Sequence, residues 1–211
     1  MTQISNHDRP HAAGLVLHRA AAYDLFVWLM TGGREGAMRE RILRLARLAP
    51  GEAVLDVGCG TGTLAIAAKR QVGAAGKVHG IDASPEMLAR AVKKARRAGM
   101  VVAFTEAPAQ ALPFSDASFD VVLTSVMLHH LPRPARAQCA SEMRRVLRPG
   151  GRALAVDFAA SQEKGLLSHL HRRHGHVKLD DIVALLGAAG LQVKESGAVG
   201  FRSLQYALAT R

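Results

Sequence analysis

Val54-Leu55-Asp56-Val57-Gly58-Cys59-Gly60-Thr61-Gly62 decides the fold. Ala53–Val57 is a short apolar run that reads as a buried strand, and Gly58–Gly62 is a turn in which glycines let the backbone bend tightly and meet a ligand without a Cβ in the way. Leu64–Val72, alanine-rich and apolar, follows as a helix. The spacing is not that of a dinucleotide fingerprint. G-x-G-x-x-G counted from Gly58 needs glycine at 63, which is Thr63; counted from Gly60 it needs glycine at 65, which is Ala65. The motif is G-x-G-x-G behind an acid. A carboxylate at Asp56 would repel a pyrophosphate, whereas it attracts the ammonium of a methionine moiety, whose own carboxylate suits the N–H groups of a helix start.

Outward from this turn the pattern repeats. Lys77–Ile81 reads as a second strand ending at Asp82, where a carboxylate can accept from both hydroxyls of a ribose. Ser84-Pro85-Glu86 opens a helix as N-cap, first-turn proline and dipole-matched acid, and that helix runs to Arg97 and stops at Gly99. Met100–Phe104 and Phe119–Ser125 read as the third and fourth strands, Arg133–Leu147 as a helix, and Arg152–Phe158 as the fifth strand. Residues 159–178 are polar and irregular. Leu179–Ala189 is a helix, and Leu191–Glu195 and Leu204–Leu208 are the last strands. Toward the amino end, residues 12–47 read as helical, broken at Gly32-Gly33. Strands alternating with helices predict an α/β, Rossmann-like doubly wound sheet. It should be seven-stranded and mostly parallel, with helices on both faces and an antiparallel last strand. Ligands then lie at the carboxyl ends of the strands, where strand order reverses.

The five stretches VLDVGCGTG (54–62), GIDASPEML (80–88), ALPFSDASFDVV (111–122), HHLP (129–132) and RRVLRPGG (144–151) together resemble the class I S-adenosylmethionine (SAM)-dependent methyltransferases. They are most similar to the branch of ubiquinone/menaquinone-biosynthesis and small-molecule methyltransferases. The resemblance covers about residues 20–160. It implies SAM as cofactor and S-adenosylhomocysteine as product, with no metal. It implies that Asp56, Gly58, Gly60, Thr61 and Gly62 cradle the methionine and ribose part. Asp82, with Ala83, would hold the ribose diol, and Met87 would pack on the adenosine. Ala109 and Gln110 would meet the adenine edge, Ser125 would lie beside the methionine amino group, and Tyr23 would cover the cofactor. One position departs: the family places Asp before the Ala-Gln pair, and here it is Pro108, with Glu106 two residues earlier as the nearest acid.

His129 and His130, just past the fourth strand, are the candidate catalytic pair. One reading makes His130 a general base; the other makes it a turn cap. Cys59 reads as a small filler between glycines. His169, His171, His174 and His176 read as a basic rim loop rather than a metal site, since Arg172-Arg173 would repel a cation. Arg90, Lys93, Lys94 and Arg97 fall on one helix face and read as solvated.

At 211 residues and 49% hydrophobic content the chain reads as one domain, 1–211, with an N-terminal helical lid at about 12–48. Its two cysteines build no disulfide framework, and its N-terminus lacks the apolar core of a signal peptide, so a cytoplasmic location is expected. The formal net charge of +11 attracts anionic partners. With few aromatics to stack bases, nucleic acid is expected to bind only weakly and without sequence preference. Peripheral membrane contact and a monomer or homodimer fit the same composition. The expected activity is methyl transfer to a small acceptor, apolar or aromatic. The alternatives are an RNA or protein methyltransferase and a non-catalytic SAM-binding protein.

Overall fold

The computed structural model describes residue 29 and residues 31–159, 177–201 and 203–211. A seven-stranded sheet runs in the order β3-β2-β1-β4-β5-β7-β6. Its strands are β1 (Ala53–Val57), β2 (Lys77–Asp82), β3 (Ala103–Glu106), β4 (Phe119–Ser125), β5 (Leu147–Phe158), β6 (Gln192–Ala198) and β7 (Leu204–Thr210). The pairings from β3 through β5 are parallel, and β7 runs antiparallel to both β5 and β6. The antiparallel last strand and the doubly wound topology are those the sequence predicts.

Two helical layers cover the sheet. On one face α1 (Glu35–Ala46) and α2 (Thr63–Val72) bury Ile42, Leu43, Leu64 and Ala65 against Val54, Leu123 and Val156. On the other, α4 (Arg133–Val146) and α5 (Leu179–Ala188) bury Cys139, Met143, Ile182 and Leu186 against Leu55, Val57 and Val122. All five residues of β1 are buried. A parallel strand covered on both faces needs a continuous apolar run, and Asp56 is its one exception. Of the segment read as a lid, the part in α1 packs on the sheet with Ile42, Leu43 and Ala46 buried.

Among the boundaries that move, three have a local reason in the backbone. Met100 is not strand: its N–H bonds to Ala95 O at 2.9 Å around Gly99, whose φ is +65°, and so closes α3 (Pro85–Arg97). Leu191 likewise closes α5 through Leu186 O at 3.1 Å around Gly190, so β6 begins one residue later. Leu147 caps α4 through its N–H to Met143 O, and it also pairs with Phe119 and opens β5. The start of α3 is as predicted, with Ser84 Oγ accepting from Met87 N–H at 3.3 Å.

Candidate functional site

Strand order reverses between β1 and β4, and the carboxyl ends of those strands gather the predicted residues. Gly58, Gly60 and Gly62 all have left-handed φ, at +72°, +52° and +75°. The loop is tight as well as left-handed. A Cβ on Gly58 would lie 2.3 Å from Met127 Cγ, and one on Gly62 would lie 2.7 Å from Ala91 Cβ. Asp82, ending β2, holds the loop from the side: its carboxylate accepts from Gly60 N–H at 2.8 Å and from Ser84 N–H at 2.9 Å. A carboxylate offers about four acceptor positions, so with its backbone N–H partners in place it can shape the loop and still accept from a ligand hydroxyl. Burial pushes the Asp82 carboxyl above its ordinary value, against the pull of the Ser84, Gly60 and Ala83 N–H groups.

Asp56 is 1% exposed, and its Oδ2 has no hydrogen-bond partner. Burial raises its pKa to about 7, the Arg39 guanidinium and the Ala65 N–H lower it, and Asp82 adds to the rise. A buried, orphaned carboxylate oxygen beside a glycine loop suits a cationic ligand group. The same burial makes a prediction. A carboxyl near 3.8 when unfolded and about 7 when folded binds its proton more tightly in the native state. Its contribution to stability is therefore full below pH 4 and is lost as pH rises through 7, a cost of about 4 kcal/mol by linkage. Carboxyls held low, such as Glu52 and Glu142, act in the opposite sense. The difference between wild type and Asp56→Asn isolates the effect: melting curves from pH 4 to 8 should diverge, the variant gaining on the wild type between about pH 4 and pH 7 and holding that gain above it. Parallel curves would show that Asp56 is not desolvated.

The remaining predicted residues fall around this frame. Met87 is 2% exposed under the start of α3, and Ala83 is half-buried after Asp82. Ala109 is buried, and Gln110 lies in a turn closed by Ala111 N–H to Pro108 O at 3.1 Å. Glu106 is exposed, in register with Asp82. Cys59 is buried and its thiol is pushed well above the ordinary range, which suits a filler and not a nucleophile. Tyr23 and the His169–His176 cluster lie outside the described residues.

Lys94 corrects the expectation for its helix face. Lys93 and Arg97 are exposed as expected, but the Lys94 Nζ donates to Thr61 Oγ1 at 2.8 Å and Thr63 Oγ1 at 3.3 Å. It thereby ties α3 to the glycine loop, and Thr61 is 2% exposed.

Past Ser125 the chain makes a costly turn. Val126 has φ +56°, a conformation that strains a β-branched residue by roughly 1–3 kcal/mol. It is held by its N–H to Val156 O at 2.8 Å and by packing against the α1–α2 core, while Met127 joins the opposite core. The chain thus crosses the sheet edge at the strand-order switch. It continues into a 3₁₀ turn, Leu128–His130. There Asp157, at 0% exposed and near the end of β5, takes His129 at two points: Oδ1 accepts from Nδ1 at 2.7 Å and Oδ2 from the backbone N–H at 3.0 Å. The His130 ring rests on the His129 ring, with centroids 3.9 Å apart. Arg136 Nε donates to the Leu128 and Leu131 carbonyls at 2.8 Å and fixes the turn from below. Asp157 is the residue that pattern reasoning missed. Its signal is an acid inside the apolar run ALAVDF, as Asp56 is inside AVLDV.

Residues 54–151 match the family model described as a methyltransferase domain. The chain is 33% identical over 175 residues to the ubiquinone/menaquinone biosynthesis C-methyltransferase UbiE of a Marinomonas species, covering 82% of this chain and 68% of that protein. It is 38% identical over 139 residues to the demethylmenaquinone methyltransferase of Thermus thermophilus, covering 66% of this chain and 62% of that one. The chain thus spans about two thirds of the length of these relatives. A SAM-dependent methyltransferase from Aquifex aeolicus superposes with a TM-score of 0.71 at 25% identity, over 82% of this chain and 88% of that one. With the acid-led glycine loop, Asp82 and the strand order all in place, this chain belongs to the class I SAM-dependent methyltransferases.

Proposed function

We propose that the chain methylates a small, apolar, hydroxylated aromatic ring of the quinol type, at a ring carbon, with His129 as general base. The observation that carries the base is the two-point grip of Asp157 on His129 at the carboxyl edge. The acceptor class rests on the relatives named for ubiquinone and menaquinone biosynthesis and for demethylmenaquinone methylation.

SAM when bound supplies a methyl group on a cationic sulfur and leaves as a neutral thioether, so its departure needs no acid. The residues present fit it. The orphaned Asp56 Oδ2 suits the ammonium, and the remaining acceptor capacity of the Asp82 carboxylate suits the ribose. The Cβ-less face of Gly58, already filled by Met127, leaves room for no side chain. Pro108 offers the adenine amino group no side-chain acceptor, so the base is held through backbone groups near Ala109 and Gln110. Thr61 acts indirectly, fixed by Lys94 so that the loop keeps its shape.

The protein's own chemistry is proton removal. Asp157 takes the Nδ1 proton of His129 in a hydrogen bond, which fixes the tautomer and leaves Nε2 as the acceptor. The pair then takes the proton of a ring hydroxyl, and the charge delocalises onto the neighbouring ring carbon, which becomes the nucleophile. After transfer the imidazolium returns its proton to the ring oxygen while that carbon gives up its own to solvent, and aromaticity returns with His129 neutral again. The buried carboxylate stabilises the imidazolium formed on the way, by the logic of a carboxylate behind a catalytic histidine. The rest of the rate comes from alignment in a site that excludes water.

The test is incubation with methyl-labelled SAM and a demethylated naphthoquinol, beside the same compound oxidised to the quinone. The expected product carries one new aryl-bound methyl, seen by mass and by NMR, from the quinol only. Methyl on oxygen would move the acceptor atom. Transfer to RNA or protein, with none to either ring, would overturn the small-molecule reading.

A further inference from the structure

At the amino edge of the sheet, opposite the glycine loop, lies a cavity of about 860 Å³, within the range of ligand pockets. Its floor is formed at the starts of four strands, by Ala53, Val78, Ala103 and Phe119. Met100 and the 84%-exposed Val101 form an apolar wall. The crossovers bring the carboxyl ends of α2 and α3 to this edge, and both end on cations, as the helix dipole favours: Lys69 and Arg70 on one, Arg96 and Arg97 on the other, while Lys94 reaches back to the glycine loop.

The cations that line the cavity are not equivalent. Lys69 Nζ donates to the carbonyls of Gly73 at 3.0 Å and Gly76 at 2.6 Å and so folds the loop before β2. Arg148 pairs with Asp120 at 2.6 Å. His79 bonds through Nε2 to Thr105 Oγ1 at 2.8 Å, and burial holds its pKa down, so it adds no charge near neutral pH. Arg70 and Lys77 remain: both are exposed, both line the cavity, and neither forms an ion pair with a described residue. None of the residues lining it carries a carboxylate.

We propose that this cavity binds an amphipathic monoanion, a carboxylic acid with an aliphatic body. Its chain lies over Val78, Ala103, Phe119 and Val101, and its carboxylate sits between Arg70 and Lys77. The apolar floor gives a bare phosphate nothing to bury, and the two cations give a neutral lipid nothing to pair with. Because the cavity is at the far edge of the sheet from Asp56 and Asp82, its ligand is neither cofactor nor methyl acceptor.

Calorimetric titration of the full chain with decanoate, neutral decanamide and inorganic phosphate tests this, with S-adenosylhomocysteine as a reference for the other edge. Decanoate should bind saturably with one site per chain, and each comparator about tenfold more weakly or worse. The double substitution Arg70→Glu with Lys77→Glu should weaken decanoate about tenfold or more, and Val101→Asp should do so through the wall. Both variants should keep the wild-type melting temperature and S-adenosylhomocysteine affinity. The proposal is overturned if decanamide binds as tightly as decanoate, if the charge-reversed variant binds decanoate undiminished, if decanoate displaces S-adenosylhomocysteine, or if the wild type shows no saturable uptake.

Discussion

Substituting His129 with alanine is expected to lower turnover about a hundredfold or more while leaving SAM affinity nearly unchanged. The imidazole lies past β4 on a turn that the cofactor loop does not share, so its loss removes proton transfer and not binding. Asp157→Asn is expected to fall almost as far by a different route. The amide keeps the shape of the carboxylate but has one acceptor oxygen where the carboxylate serves His129 Nδ1, His129 N–H and Phe158 N–H. It also brings no negative charge to stabilise an imidazolium. Because Asp157 is wholly buried, this variant also loses about 1–3 kcal/mol of stability from a mispaired donor. Turnover per folded molecule, read with a melting curve on the same preparation, separates the effects. His130→Ala is expected to cost less than either. If His130→Ala abolishes turnover and His129→Ala changes only the melting temperature, the base is His130 and the Asp157 grip is architectural.

Asp82→Ala carries the second large effect. The carboxylate has two tasks, holding Gly60 and Ser84 N–H groups and taking the ribose hydroxyls. Hydrogen bonds to a charged group contribute about 1.5–3 kcal/mol each, so losing the ribose pair alone predicts a hundredfold or weaker SAM affinity, about 3 kcal/mol or more. The glycine loop, released from Gly60, should add to that loss. Calorimetry with SAM on a variant whose melting shows it folded measures the effect. An unchanged affinity would remove Asp82 from the ribose and leave it a loop anchor.

Much of this was legible in the residues because the physics was local. Ser84-Pro85-Glu86 could only open a helix, and three glycines behind an acid could only turn at a strand end. Apolar runs separated by helices forced a parallel sheet. What was not legible depended on neighbours far apart in sequence. Lys94 looks like one cation of a solvated stripe, and only the packing of α3 against the loop carries it to Thr61. Asp157 lies 28 residues from His129 and reaches it because β4 and β5 are adjacent. Met100 and Leu191 looked like the first residues of strands because they are apolar. Glycine one residue earlier let each fold back onto its helix instead, a choice set by backbone hydrogen bonds that hydrophobic pattern does not encode. The left-handed turn at Val126 runs against its own propensity and is imposed by β5 and the α1–α2 core.

The acid-led glycine loop suits this cleft to SAM and not to a dinucleotide. Isothermal titration of the full chain with SAM, S-adenosylhomocysteine and NAD tests it most directly. SAM and S-adenosylhomocysteine should bind saturably at one site per chain, more strongly above pH 7, where Asp56 is ionised, than below it, and NAD should give no heat. Binding of NAD with none of SAM or S-adenosylhomocysteine would contradict it.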